Sequence, residues 1–261
     1  MNISINCPSY KRPIVETLDY LPFCKVWVDG SEYEEYKKKN IGANIIMCDD
    51  GIQGNVCRVR NYILKTEFDN EYDVVLIIDD DMKGVYYFEG KDEFAYEKHL
   101  VERDMFFEFV EKFSVICMDI GAKLWGININ SDSQSYRQYS PFSTVSYIGA
   151  PFQCFMKGNR CWYDEELPLK EDYDMTLQQL NTERVVLRVN KYHYSVKQSK
   201  QAGGCSTYRN YQREEEQIGL LVKKWGSNIV KIDESDKSHT RKKMKTKIDY
   251  NPIIRPPIRG I

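Results

Sequence analysis

The chain has 261 residues, 42% of them apolar and 29% charged, with a net charge of −2. That length suits one large α/β domain or two small ones, and the charge balance excludes a polycation throughout. No apolar run approaches the roughly 20 residues that span a bilayer, which argues against a membrane protein. The opening MNISINCPSYKRP lacks the apolar core of a signal peptide, so a cytoplasmic location is expected.

NISIN (2–6) reads as a first strand, closed by CPSYKRP with its two prolines, and KVWVD (25–29) as a second. Ser31 and Glu34 have capping-box spacing ahead of a helix over EYEEYKKK. NIIMC (44–48) is a third strand and DDGIQGN a glycine-bearing loop. VCRVRNYILK (56–65) is a helix, and DVVLII (73–78) a fourth strand. A longer helix is expected over 97–118, then strands over 123–130 and 151–157, a short helix over 172–181, and a strand over 184–196. A last helix spans 208–226 and stops at Gly226. Apolar strands alternating with helices predict an α/β fold with a mostly parallel central sheet flanked by helices.

The eight cysteines, Cys7, Cys24, Cys48, Cys57, Cys117, Cys154, Cys161 and Cys205, form no C-x-x-C pair. They read as reduced, mostly buried thiols. The abundance of Lys, Asn, Ile and Tyr is a bias of AT-rich genomes, such as those of phages.

The fourth strand ends on Asp79, Asp80 and Asp81. In an open parallel sheet, ligands bind outside the carboxyl ends of the strands. Three adjacent carboxylates there repel one another unless a cation neutralises them. Mg²⁺ or Mn²⁺ prefers such oxygen ligands and bridges to substrate phosphates. A dehalogenase-type phosphatase would need Thr or Val where Lys83 stands, and a phosphate-receiver domain would be about half this length.

Five ordered pieces resemble the GT-A class of nucleotide-sugar glycosyltransferases over roughly residues 1–196. CPSYKRP resembles the donor-binding loop, GNVCRVRN the helix before the acidic motif, and IIDDD the D-x-D motif. WYDEELPLKEDYDM resembles the segment carrying the catalytic carboxylate, and NKYHYS places His193 where a third metal ligand is often found. The resemblance implies a UDP-sugar donor held by Pro8, Tyr10, Arg12, Arg58, Arg60, Asp79 and Asp80. It implies a Mn²⁺ or Mg²⁺ ion on Asp79, Asp81 and His193, with Asp80 pointing away. It also implies a base at Asp172 with Glu171 beside it, and Asp174 two residues on.

From Lys237 to Arg259, eight basic residues face one acidic residue, Asp249. The chain is therefore divided into a glycosyltransferase domain, 1–232, and a basic extension, 233–261, in which Arg241, Lys242, Lys243 and Lys245 are expected to bind duplex DNA. A compact chain with a basic end is similar to the DNA-base glycosyltransferases of phages and of the base J pathway. That narrower resemblance implies transfer of a hexose, glucose, to a 5-hydroxymethylpyrimidine. Two other readings stay open: an enzyme acting on a surface glycan or lipid-linked acceptor, and a non-catalytic DNA-binding protein on a degenerate fold of this kind.

Overall fold

The computed structural model describes residues 1–90, 96–132, 140–196, 203–233 and 249–258. Its centre is β4 (Val74–Ile78), in which all five side chains are buried. Val74, Leu76 and Ile78 enter one apolar cluster, and Val75 and Ile77 enter another on the opposite face. A strand covered on both faces cannot alternate apolar with polar, which is why VVLII is continuous. Each such side chain contributes roughly 1.5–3 kcal/mol by leaving water.

β4 pairs in parallel with β1 (Ile3–Pro8), β1 with β2 (Lys25–Val28), and β2 with β3 (Asn44–Met47). On its other side β4 pairs antiparallel with β9 (Phe152–Met156), which pairs antiparallel with β7 (Leu124–Asn128). The sheet continues through β10 (Leu187–Val196) to β5 (Met82–Gly90) and β6 (Tyr96–Leu100), with the short β8 (Phe142–Ser143) also on β10. From the pairings, β3, β2, β1, β4, β7, β10 and β6 run one way, and β9, β5 and β8 the other. The sheet is thus mostly parallel in direction, as the alternating pattern leads one to expect.

Helices cover both faces. α4 (Phe106–Asp119) buries Phe106, Phe109, Val110, Phe113 and Cys117 against the first cluster. α3 (Val56–Asp69) buries Cys57, Val59, Ile63 and Leu64 against the second. α1 (Thr17–Tyr20) and α2 (Tyr33–Lys39) follow β1 and β2, and α5 (Glu171–Thr182) and α6 (Tyr211–Trp225) come later. All eight cysteines are free thiols, and seven are buried; Cys205 is half-buried.

Three local expectations change. The helix expected over 97–118 starts only at Phe106, and Tyr96–Leu100 is a strand. β6 ends the sheet and carries charged and polar Glu97, Lys98 and His99, as a guarded edge does. Such a sequence resembles a helix surface until its pairing with β5 is known. His99, which that helix would have carried, is instead stacked on Tyr87 with ring centroids 5.3 Å apart. Near α2, Asp29 rather than Ser31 does the capping: its Oδ1 accepts from Ser31 N at 2.9 Å.

The described part of the expected basic extension, 249–258, packs on the body. β12 (Ile253–Ile254) pairs antiparallel with β11 (Val230–Lys231), Tyr250 is buried, and Ile258 packs against the second cluster. Arg241, Lys242, Lys243 and Lys245 lie outside the described residues. Among the described residues, no helix is long and apolar enough to cross a membrane.

Gly126 on β7 lets the segment before β9 pass close overhead. A Cβ there would stand 2.5 Å from Ile148 Cγ2 and 2.8 Å from the Phe152 carbonyl oxygen. The carbonyl belongs to a strand and has little room to move. Gly126→Ala should therefore cost about 1–3 kcal/mol, read as a lower urea midpoint with an unchanged m-value.

Candidate active site

β1 and β4 are parallel neighbours, so the loop after Pro8 and the acidic turn after Ile78 emerge side by side. Thr17 clamps that turn. Its Oγ1 donates to the Asp79 carbonyl oxygen at 2.6 Å and accepts from Met82 N at 2.9 Å, and its N–H donates to the Asp80 carbonyl oxygen at 3.2 Å.

The three carboxylates then diverge. Asp80 is buried and turns toward the β1 loop, where it accepts from Ser9 Oγ at 2.6 Å and from an Arg12 guanidinium N–H. Asp79 accepts from Arg60 Nη2 at 2.8 Å and keeps about 32% of its side chain exposed. Asp81 lies 3.9 Å from Arg12 Nη1. Burial, followed by the charges of Asp79 and Asp80, pushes the Asp81 carboxyl up to about 7. Negative charge here exceeds what Arg12 neutralises.

These groups open into a cavity of about 1030 Å³. Pro8, Ser9, Tyr10 and Arg12 line one side, with the loop Gln53–Asn55 and the first turns of α3. Asn55 starts that helix, its Oδ1 accepting from Cys57 N at 2.9 Å. The start of α5, residues of the segment 204–211 and Tyr250–Asn251 complete the wall, and Gly204 N donates to the Tyr10 carbonyl oxygen at 2.8 Å. Six acidic residues, Asp79, Asp80, Asp81, Glu171, Asp172 and Glu214, line the cavity against four basic ones, Arg12, Arg60, Lys170 and Arg209. With the raised Glu171 carboxyl protonated, five acidic groups face four basic ones, and the acidic excess favours a bound cation.

Asp172 is held by groups that local sequence does not announce. Its Oδ2 accepts from the Tyr147 hydroxyl and from Ala150 N at 3.2 Å, and its Oδ1 from Tyr173 N at 2.9 Å. Tyr147 and Tyr173 stack with centroids 4.3 Å apart. Glu171 is more buried; burial first, and then the charge of Asp172, raise its carboxyl well above the usual range. Arg60 joins the two acidic groups. Buried on α3, it donates to Asp79, sits 4.0 Å from Glu171 through Nη1, and lies over the Tyr163 ring at 5.6 Å.

Of the residues expected in the site, Pro8, Tyr10, Arg12, Arg60, Asp79, Asp80, Asp81, Glu171 and Asp172 come together. Two do not. Arg58 points outward, pairs with Glu165 at 2.8 Å, and donates to the Gly51 carbonyl oxygen at 2.7 Å. One residue along a helix is a turn of 100°, so Arg58 and Arg60 cannot share a face. His193 is absent from the cavity wall. It is buried between Tyr86 and Phe88, with centroids at 5.8 and 4.9 Å, and neither ring nitrogen has a partner among the described residues. Burial, then Lys98, pushes its pKa down to about 4. Among the described residues no three or more His, Cys, Asp or Glu side chains converge on a metal position. The oxygens of Asp79 and Asp81 still fit a hard divalent cation, because Mg²⁺ commonly takes one or two carboxylates and completes its shell with water and phosphate. Ser9 and Lys170 lie inside the CPSYKRP and WYDEELPLKEDYDM pieces without having been singled out, and Tyr147, Arg209 and Glu214 had no sequence signal beyond their types.

Two outcomes test this electrostatic picture. Arg60→Leu breaks a buried ion pair and should cost roughly 3 kcal/mol, the low end for such pairs because Asp79 still reaches water. Asp81 binds its proton more tightly folded than unfolded, so its contribution to stability is largest below about pH 4 and is lost as pH rises toward 7. Asp81→Asn should accordingly raise stability at pH 8, by at most about 4 kcal/mol, and flatten the urea midpoint between pH 5 and 8.

No curated protein matches the chain in sequence. Glucosyl-3-phosphoglycerate synthase from Mycobacterium tuberculosis, solved with Mn²⁺, UDP-glucose and phosphoglyceric acid, is similar at 11% identity and TM-score 0.47, covering 89% of this chain and 83% of that one. A197 from STIV is similar at 14% identity and TM-score 0.39, covering 76% and 87%. The model of the family TET-Associated Glycosyltransferase matches residues 23–204, well over half of the chain and including the acidic strand end and the start of α5. The chain belongs to the TET-Associated Glycosyltransferase family and is a glycosyltransferase.

Proposed function

We propose that this glycosyltransferase moves a hexose, glucose, from a UDP-sugar to the hydroxyl of a 5-hydroxymethylpyrimidine in duplex DNA. The observation that carries the reading is the single cavity shared by the acidic strand end and a carboxylate, Asp172, fixed by Tyr147 and Ala150 N. In this reading Pro8, Tyr10 and Arg12 line the donor side with Asp79 and Asp81. Mn²⁺ or Mg²⁺ on Asp79 and Asp81 would neutralise the charge that develops on the leaving diphosphate.

The acceptor hydroxyl must lose a proton as it attacks the anomeric carbon, and a positioned carboxylate takes it. Asp172 suits that role better than Glu171. The raised Glu171 carboxyl keeps its proton near neutrality, and a protonated acid cannot serve as the base. The three hydrogen bonds at Asp172 orient its oxygens and restrain rotation. The basic stretch Lys237–Arg259 supports DNA as the polyanion carrying the acceptor.

Transfer of labelled glucose from UDP-glucose to hydroxymethylated and unmodified duplexes, with Mn²⁺, tests the reading. Transfer only to the hydroxymethylated duplex is expected; donor turnover with transfer to glycans alone would move the acceptor away from DNA. Asp172→Asn should keep UDP binding and lower kcat at least a hundredfold, since an amide cannot accept the proton. Asp81→Ala should abolish metal-dependent donor turnover. Replacing Arg241, Lys242, Lys243 and Lys245 with Gln should flatten the slope of log affinity against log salt by roughly 3–4, if each contacts one phosphate.

A further inference from the structure

The donor-side groups occupy only part of the cavity. Its volume of about 1030 Å³ reaches the upper end of ordinary ligand sites, roughly 300–1,000 Å³. A nucleotide sugar therefore leaves room for part of a second molecule. The contacts order the site. Arg60 ties the start of α5 to Asp79 on one side. On the other, the buried Lys170 Nζ meets Glu214 Oε2 on α6 at 2.6 Å. Asp172 directly follows Lys170 and Glu171, the two residues that make these ties.

The α6 side has its own chemistry. Tyr211, in the first turn of α6, is 58% exposed yet lies nearly parallel to Tyr250, with centroids 6.0 Å apart and planes at 26°. Both line the cavity, and so do Asn210 and Asn251. Asn210 Oδ1 accepts from Arg213 N, and Asn251 Nδ2 donates to Asp249 Oδ1. The Asn210 amide N–H groups and the Asn251 amide oxygen have no partner among the described residues. The rim thus offers a flat aromatic face together with a hydrogen-bond donor and an acceptor. Arg209, half exposed and paired with Glu214 at 3.1 Å, adds positive charge beside it.

We propose that Tyr211, backed by Tyr250 and edged by Asn210 and Asn251, is the acceptor subsite, and that its occupant is a planar nucleobase whose substituent hydroxyl reaches Asp172. The assignment rests on the DNA-acceptor reading above and deepens it. A nucleobase has two π-faces for stacking and an edge of donors and acceptors. The phosphates flanking it in a nucleic acid match Arg209. A base seated here has left its duplex stack, since stacked neighbours would occupy both of its faces. Tyr211, Tyr250 and Asn251 all lie beyond the residues matched by the family model.

Steady-state kinetics with UDP-glucose and a duplex carrying 5-hydroxymethylcytosine test the subsite. Tyr211 is exposed, so Tyr211→Ala should fold. It should raise KM for the duplex roughly five- to a hundredfold, the range for losing one base–aromatic stack, and by more than it raises KM for the donor. Tyr211→Phe and Tyr211→Trp keep a π-face and should stay within about threefold of the unmodified protein. If the unmodified protein glucosylates the duplex and Tyr211→Ala keeps its acceptor KM, the subsite is wrong and the DNA reading survives. If the unmodified protein turns over donor but glucosylates no hydroxymethylated DNA, both are wrong. A Tyr211→Ala defect confined to a saccharide acceptor would also overturn the nucleobase assignment.

Discussion

Two guanidinium groups hold three consecutive carboxylates at the end of a strand that is buried along its whole length. β4 is covered on both faces, so the chain leaving it meets a low-dielectric interior, where unpaired charge is expensive. Arg12 answers Asp80, and Arg60 answers Asp79. The compensation is incomplete: burial first, and then the charges of Asp79 and Asp80, leave the Asp81 carboxyl raised. A site left short of positive charge is prepared for a cation and for the phosphates that accompany one.

The same two arginines fasten the surrounding elements. Arg12 fixes the β1 loop to the acidic turn, and Arg60 spans from α3 to β4 and approaches α5. Since α5 carries Asp172, the distance between the acidic turn and the candidate base depends on a buried guanidinium. The segment 147–152 completes this frame. Its passage over Gly126 brings Tyr147 and the Ala150 N–H onto Asp172. Lys170 and Glu214 then carry the frame across to α6, so the two halves of the cavity are joined through adjacent residues of α5 and its approach.

Much of this was legible from local pattern. VVLII could only be a strand covered on both faces, and its acidic end pointed to the cavity. The α3 pattern, the Gly226 stop with its φ of +86°, and the α5 start were also local matters of periodicity and backbone preference. His193 was misplaced because a histidine near tyrosines looks the same whether it faces a metal or an aromatic stack. Only its register opposite Tyr86 on β5 decides between them. β6 was misread for a similar reason: YEKHL acquires its strand only from pairing with β5.

What local sequence settles here is which segments are buried and where carboxylates stand along the chain, because both follow from nearest-neighbour chemistry. Partner choice is different. That Asp80 takes Arg12, that Asp172 takes Tyr147, and that Tyr250 returns to stack on Tyr211 depends on residues 25 to 68 positions apart. Those meetings arise from sheet order and helix docking, which bring together side chains whose identities carry no record of one another.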